Sequence, residues 1–146
     1  MLIEKLLPEA RARMRCIEVG AALLQAARLL DDGPDMLLVR DGEGRLVGVL
    51  TKTDVVRQTG RCAGASCTAP VIEAMTGDVV TARAGDWLHE VWEIMKARGL
   101  KNIPIIDDAG RPIGVLNARD ALQVLLGEVR HEEALLRDYV MNVGFH

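Results

Sequence analysis

Two short segments of the chain carry polar residues at the same spacing. GVLTKTD at residues 48–54 returns as GVLNARD at residues 114–120, 66 positions later. In each copy an apolar run led by glycine ends at Thr51 or Asn117, and a carboxylate, Asp54 or Asp120, follows three residues on. This spacing fits a helix capping box, in which each side chain bonds the other residue's backbone N–H. Capping alone would account for either copy.

The same geometry is also suited to holding a nucleotide. A strand that ends at a helix N-terminus presents unpaired backbone N–H groups and the positive end of the helix dipole, both of which attract phosphate. A carboxylate one turn into the helix can accept hydrogen bonds from ribose hydroxyls. On this interpretation Thr51 or Asn117 contacts phosphate, and Asp54 or Asp120 contacts the sugar.

The duplication extends over a whole unit of secondary structure. Gly33 and Gly99 obey the same displacement, as do the turn segments 41–44 and 107–110, and such self-similarity indicates a repeated supersecondary unit. Apolar runs and turn residues predict a strand, a helix, a two-stranded hairpin and a second helix in each copy. The predicted elements are 17–19, 21–30, 36–39, 46–50 and 52–58 in the first copy, and 79–82, 87–98, 103–106, 113–116 and 118–126 in the second.

The repeats divide the chain into four parts. Residues 1–58 hold the first copy with its lead-in, and residues 59–70, rich in Gly, Ala, Ser and Thr, are predicted to be a linker. Residues 71–126 hold the second copy. Residues 127–146 are predicted to form a further helix and tail, in which Val129, Leu136, Tyr139 and Val140, with Leu135 as a further candidate, make an apolar stripe. This stripe is predicted either to pack on its own domain or to form a dimer contact. Residues 2–14, where Pro8 starts or breaks a helix, are a second candidate for the same packing or dimer contact.

Composition excludes several classes of protein. The chain has 146 residues, 49% of them apolar, which is enough for one compact domain. Its net charge of −3, without a basic stretch, argues against a nucleic-acid partner. The N-terminal segment has an early charge and no long apolar run, so we expect neither a signal peptide nor a membrane partner, and a cytoplasmic location.

The reactive side chains do not form a catalytic or metal-binding pattern. Cys16, Cys62 and Cys67 are an odd set without CxxC spacing, so zinc and a disulfide framework are poorly supported. A bridge between Cys62 and Cys67 is sterically possible, a reduced pair is favoured, and their role stays open. No Ser/His/Asp or Cys/His constellation is present in a suitable context, so we predict no enzyme activity and no cofactor.

The doubled pattern resembles a tandem pair of CBS domains, the Bateman module. The resemblance rests on the order of elements, on EAMTGDVVTA at residues 73–82, on KNIPIIDDAGRPIGVL at residues 101–116 and on the GVLTKTD ending, and it covers about residues 16–126. It implies a mixed α/β (α+β) fold of two β-α-β-β-α repeats packed about a pseudo-twofold axis, plus the extra C-terminal helix. In this family, clefts at the junction of the repeats bind AMP, ADP, ATP or S-adenosylmethionine.

Each copy keeps a different part of the family's site. The family pattern of a glycine, two apolar residues, a hydroxyl and then, three positions on, an aspartate is complete in copy one, whereas copy two has Asn117 in place of the hydroxyl. The aliphatic-proline pair that borders the adenine is present in copy two and replaced by Leu37 and Leu38 in copy one. Lys52, Lys101 and Arg119 are candidate phosphate contacts. The ligand-binding residues implied by the resemblance are Ile17, Glu18, Met36, Leu37, Thr51, Thr53, Asp54, Val80, Thr81, Asn102, Ile103, Pro104, Asn117, Arg119 and Asp120.

Three functions follow as hypotheses. The leading one is a non-catalytic sensor of an adenine nucleotide that signals to an unknown regulated protein. A homodimer is expected, because two such pairs commonly form a flat four-domain disc in this family. The alternative is a ligand-free structural or protein-interaction module. An enzyme is least favoured, since IMP dehydrogenase, which contains a CBS pair, also needs a catalytic barrel of about 250 residues.

Overall fold

The computed structural model describes residues 1–61 and 68–144, with side chains as far as Met141. Cys62 and Cys67 lie outside the described residues. In chain order the elements are a 3-10 helix (Ile3–Leu6), α1 (Leu7–Arg13), β1 (Cys16–Glu18), α2 (Leu23–Asp31), β2 (Met36–Arg40), β3 (Leu46–Thr51), α3 (Lys52–Arg61), a second 3-10 helix (Val71–Glu73), α4 (Leu88–Arg98), β4 (Asn102–Ile106), β5 (Pro112–Asn117) and α5 (Ala118–Gly144).

The first repeat forms a three-stranded sheet with two helices. β1 pairs parallel to β2, and β2 pairs antiparallel to β3 through the predicted turn, where Gly44 takes a φ of 81°. Helix α2 buries Leu23, Ala26 and Leu30 against the sheet, because these residues recur on one helical face. The predicted α/β repeat is confirmed here, with strand and helix boundaries within three residues of the predicted ones.

The second repeat keeps the hairpin β4–β5 and helix α4 but lacks the predicted strand at 79–82. Only Ala82 bridges to β4, donating its N–H to Pro104 and accepting from Ile106. In the first repeat the ladder continues, because Leu38 donates its N–H to the Arg15 carbonyl at 2.9 Å. Pro104 stands where Leu38 does in the sequence repeat and has no N–H to donate, so the parallel ladder ends after one residue.

Two helix boundaries also differ from prediction. Helix α3 continues to Arg61, so the first residues of the predicted linker are helical. Helix α5 is continuous from Ala118 to Gly144, so the C-terminal helix predicted after Gly127 is present but the break predicted at Gly127 is wrong. An interior glycine costs a helix only about 1 kcal/mol, which the leucine-rich turns before it can offset. No helix within the described residues is both long and apolar enough to cross a membrane.

The N-terminal segment belongs to the second repeat. Ile3, Leu6 and Ala10 are buried in its core, and Ala10 presses on β5 so closely that a Cβ at Gly114 would lie 2.8 Å from the Ala10 Cβ. Residues 2–14 therefore pack on the second repeat of their own chain, which is one of the two roles that the sequence left open for this segment. The two repeats meet at a smaller cluster formed by Met36, Leu38, Val49 and Val115.

Gly48 marks a second close approach, on β3. Val49 and Thr76 exchange two backbone hydrogen bonds of 2.9 Å beside it. A Cβ at Gly48 would lie 2.7 Å from the Thr76 carbonyl oxygen and 2.8 Å from the Met75 sulfur. Because the oxygen belongs to a hydrogen-bonded backbone, it cannot move aside as a flexible side chain would.

We expect Gly48→Ala to lower the free energy of unfolding by about 2 kcal/mol, the usual range for overpacking. Gly60→Ala is the matched control, since Gly60 lies in α3 and a Cβ added there would meet nothing within 4 Å. That variant should stabilise the protein by about 1 kcal/mol through helix propensity. Urea unfolding measures both, and equal effects would contradict the close approach.

Candidate functional site

A cleft of about 580 Å³ lies between the two repeats and is called the large cleft below. One wall is the junction of β3 and α3, and the other is the loop from α4 to β4 together with β4 itself. Its lining residues are Asp35, Met36, Val49, Thr51, Lys52, Thr53, Thr76, Asp78, Val79, Val80, Arg98, Gly99, Leu100, Lys101, Asn102 and Pro104.

The large cleft is built crosswise from the two repeats. Thr51, where β3 runs into α3, belongs to the first repeat, whereas Asn102 and Pro104 on β4 belong to the second. Thr51 of the motif that is complete in copy one therefore shares a cleft with Asn102 and Pro104 of the wall that is complete in copy two. Neither repeat by itself holds both sets of residues.

The capping box predicted at Thr51 and Asp54 is confirmed. The Thr51 N–H and hydroxyl donate to Asp54 Oδ2 at 2.9 and 3.1 Å, and the Asp54 N–H approaches the Thr51 hydroxyl at 3.4 Å. The other carboxylate oxygen accepts from Arg57 at 3.1 Å and from the Thr76 hydroxyl at 3.2 Å. Asp54 is only 5% exposed and does not line the large cleft, so its carboxylate organises the start of α3.

The equivalent pair in copy two forms only half of the predicted capping box, because Asn117 caps α5 but Asp120 does not bond back to Asn117. Asn117 Oδ1 accepts from the Arg119 N–H at 2.9 Å, and the Asn117 amide donates to Asn102 Oδ1 at 3.0 Å. Asp120 accepts two hydrogen bonds from the Arg13 guanidinium, at 2.5 and 2.9 Å. The hydrogen bond to Asp120 is the main cause that raises the pKa of Arg13. The Asp120 carboxylate is turned to a residue from the N-terminal helix.

A second, smaller cleft of about 250 Å³ lies beside this ion pair and is called the small cleft. Met36 and Asn102, which occupy matching positions of the two repeats, line both clefts. The small cleft is thus the pseudo-symmetric counterpart of the large one. Its lining residues are Ala12, Arg13, Arg15, Asp32, Gly33, Pro34, Asp35, Met36, Asn102 and Val115.

The two clefts carry different sets of charged residues, although Asp35 lines both. The large cleft presents three cations, Lys52, Arg98 and Lys101, and two carboxylates, Asp35 and Asp78. Arg98 and Lys101 flank Gly99, which ends α4 in a left-handed conformation and so turns the chain toward β4. At the positions 66 residues away the chain has Asp32 for Arg98 and Asp35 for Lys101, which line the small cleft with Arg13 and Arg15, and Ala118 for Lys52.

Strand alternation separates the predicted site residues into two groups. Met36, Asn102 and Pro104 face the large cleft, but their neighbours Leu37 and Ile103 point to the opposite side of the sheet and are fully buried in the helix-facing cores. The predicted residues that line the large cleft are Met36, Thr51, Thr53, Val80, Asn102 and Pro104; those that line neither cleft are Ile17, Glu18, Leu37, Asp54, Thr81, Ile103, Asn117, Arg119 and Asp120.

Sequence reasoning missed several residues of the large cleft. Val49 and Thr76 reach it through the backbone pairing beside Gly48, which no local pattern reveals. Arg98 and Leu100 line the cleft because the chain turns at Gly99. A cation next to a glycine that ends a helix is the sequence feature from which Arg98 could have been predicted. Asp35 and Asp78 were likewise not predicted.

The described residues contain no group of three or more His, Cys, Asp or Glu side chains placed to hold a metal ion. Cys16 is half-buried on β1, and this burial raises the pKa of its thiol. A thiol with a raised pKa is a weaker nucleophile at neutral pH than an exposed one.

Comparisons with known proteins agree with this architecture. A family model described as CBS domain matches the chain twice, over residues 10–60 and 71–127. The inosine-5′-monophosphate dehydrogenase of Nitrosopumilus maritimus is 36% identical over 84 residues, or 58% of this chain. This chain spans only 16% of the length of that dehydrogenase.

Two solved structures show the same fold. The CBS domain pair of protein MJ0100, in complex with 5′-methylthioadenosine and S-adenosyl-L-methionine, has a TM-score of 0.70 at 22% identity, covering 88% of this chain and 98% of that one. The cytosolic domain of the Mg²⁺ channel MgtE, in complex with ATP, has a TM-score of 0.66 at 23% identity, covering 82% and 52%. At these identities the likeness concerns the fold.

Proposed function

This chain belongs to the CBS-domain family, with two CBS repeats in tandem, and from that membership we propose that it is a regulatory module that binds an adenosine-containing ligand in the large cleft and catalyses no reaction. The observation that carries the proposal is the crosswise construction of this cleft. It joins the Thr51 end of one repeat to the Asn102–Pro104 wall of the other. Occupancy of the cleft would then be transmitted to a regulated protein.

The charges of the large cleft favour a phosphate-bearing ligand. Lys52, Arg98 and Lys101 outnumber the carboxylates Asp35 and Asp78. Charge-assisted hydrogen bonds from Lys and Arg to phosphate are among the strongest polar contacts in proteins. The sulfonium of S-adenosylmethionine gains nothing from such cations, so AMP, ADP and ATP are the preferred ligands. The two solved structures hold ligands of both kinds, S-adenosyl-L-methionine in one and ATP in the other.

The differences between the clefts support one nucleotide per chain. Ligand pockets usually measure about 300–1,000 Å³. The large cleft, at about 580 Å³, lies within this range, and the small cleft, at about 250 Å³, lies below it. In addition, Arg13 of the small cleft already pairs with Asp120, which leaves Arg15 as the other lining cation beside the carboxylates Asp32 and Asp35. Both features disfavour a second phosphate.

Calorimetric titration of nucleotide-free full-length chain should show one site for AMP, ADP or ATP and weaker binding of S-adenosylmethionine. Small molecules extracted from freshly purified protein and identified by mass spectrometry provide an independent readout. Absence of heat and of thermal stabilisation with all four ligands would refute the proposal. Two equivalent sites would refute the single-cleft assignment.

The alternative of a ligand-free interaction module is favoured by one observation. Asp54, the residue that the resemblance assigns to ribose, is already hydrogen-bonded to four donors within the protein. If its only task is to cap α3, the repeated motif needs no ligand to explain it. The nucleotide titration separates the two functions.

A further inference from the structure

Helix α5 extends well beyond the body of the protein. Its first turns pack on the second repeat, where Ala121 is buried and Val124 and Leu125 contact the core. From Val129 to Met141 every side chain is exposed. The exposed apolar residues of this helix are Leu122, Leu126, Val129, Leu135, Leu136, Tyr139, Val140 and Met141.

Such a projecting helix lacks the usual source of helical stability. Helices of fewer than about 12–15 residues are marginal in water by themselves, and most gain their stability by packing an apolar face. The projecting turns of α5 have an apolar face but nothing in the chain's described residues covers it. A partner that buries this face would stabilise both the helix and the contact.

The apolar residues of α5 follow a heptad spacing. Positions 122, 126, 129, 133, 136 and 140 are separated alternately by four and three residues, which places them on one seam. Five of these six residues are apolar, and Glu133 is the exception. Leu135 lies on another face of the helix. We call the six positions the α5 seam.

The charges beside the seam select the partner and its direction. In heptad terms Glu132 occupies a g position, and Arg130 and Arg137 occupy e positions. In a parallel pair, the g residue faces the e residue five positions further along the second helix, so Glu132 meets Arg137 of the second copy on both flanks. An antiparallel pair instead brings e positions together and places arginines opposite each other. The seam is therefore complementary to itself in parallel orientation.

We propose that α5 pairs with α5 of a second copy of this chain as a parallel two-stranded coiled coil along the α5 seam. No residue of the α5 seam lines the large cleft, so pairing along the seam does not use the ligand-binding residues. Glu133 places two carboxylates at the same layer of the seam, which weakens the dimer at neutral pH. The association is consequently reversible and depends on concentration. The dimer is independent of the ligand assignment.

Sedimentation equilibrium of the full chain tests the seam with two neighbouring leucines. Leu136→Asp places a charge in the seam and should weaken dimerisation by at least about 100-fold, because it buries two carboxylates per dimer. Leu135→Asp is the matched control, since Leu135 and Leu136 are 56% and 65% exposed but lie on different faces. The control should shift the dimer constant by less than about threefold. A dimer insensitive to Leu136→Asp, or a chain that is monomeric up to several hundred micromolar, would overturn the proposal.

A charge swap tests the parallel direction. Glu132→Arg or Arg137→Glu alone should weaken the dimer by about tenfold, because each places like charges at both flanks, and the double variant should restore it. Glu133→Leu should tighten the dimer by at least about tenfold through removal of the paired carboxylates. Failure of the double variant to recover would exclude the parallel register. Nucleotide titration of the same variants should be unchanged, so that failure here is distinguishable from failure of the ligand proposal.

Discussion

Replacing Arg98 and Lys101 together by Glu is expected to weaken binding of ATP or AMP by at least about 100-fold. Each replacement removes a charge-assisted contact to phosphate and adds a repulsive charge, and salt screening reduces the effect at these exposed positions. Both residues flank Gly99 at the rim of the large cleft, and their side chains are exposed, so the fold should not suffer. Calorimetry at fixed ionic strength measures the loss.

Two controls separate lost phosphate contacts from other damage. Adenosine, which has no phosphate, should bind the double variant as tightly as it binds the unmodified chain. Arg119→Glu changes an exposed arginine that lines neither cleft, and it should alter the ATP dissociation constant by less than about twofold. Unchanged ATP affinity in the double variant would place the phosphates elsewhere, and a loss in Arg119→Glu would favour the role that the family resemblance implied for Arg119.

Replacing Asp54 by Ala is expected to lower the free energy of unfolding by about 3 kcal/mol. The change removes the helix cap and leaves the Thr51 N–H and the Thr51 and Thr76 hydroxyls without their acceptor in a part-buried site. Because Arg57 is half exposed, water can solvate its charge, and its share of the loss is small. Urea unfolding with a common slope for both proteins gives the difference.

Asp120→Ala is the matched variant in the second repeat. The Asp120 side chain pairs with Arg13, and that arginine is 40% exposed, so the loss should be about 1 kcal/mol or less. Equal losses at the two positions would show that the two carboxylates do equivalent structural work, contrary to their hydrogen bonds. If Asp54→Ala folds and binds nucleotide normally, Asp54 is a cap alone.

The Arg13–Asp120 pair beside the small cleft helps to explain why two similar repeats form unequal clefts. Duplication supplies two similar halves, but the N-terminal helix packs on only one of them, through Ala10 and Gly114. Because this helix packs on the second repeat, Arg13 lies next to Asp120, and the two clefts differ in size and charge. The asymmetry therefore comes from the helix that precedes the repeats as well as from substitutions within them.

Features that depend on residues close together in the chain could be predicted from the sequence. The doubled motif established the two repeats, the apolar periods established most strands and helices, and the Thr51–Asp54 spacing established the cap. These predictions succeeded because a helix period, a turn and a capping box involve groups only a few positions apart. The 79–82 strand failed for a reason also present in the sequence, since Pro104 cannot donate the hydrogen bond that the strand needs.

The residues that share a cleft could be identified only from the three-dimensional packing of the two repeats. Thr51 and Pro104 are far apart in the chain, as are Arg13 and Asp120, and their meeting depends on how the repeats and the N-terminal helix pack. Because side chains alternate along a strand, those of Leu37 and Ile103 lie in the cores, whereas those of Met36 and Pro104 face the cleft. Residue spacing specifies local hydrogen bonds and faces, but long-range contacts follow from burying several apolar faces at once, and that choice is made by the whole fold.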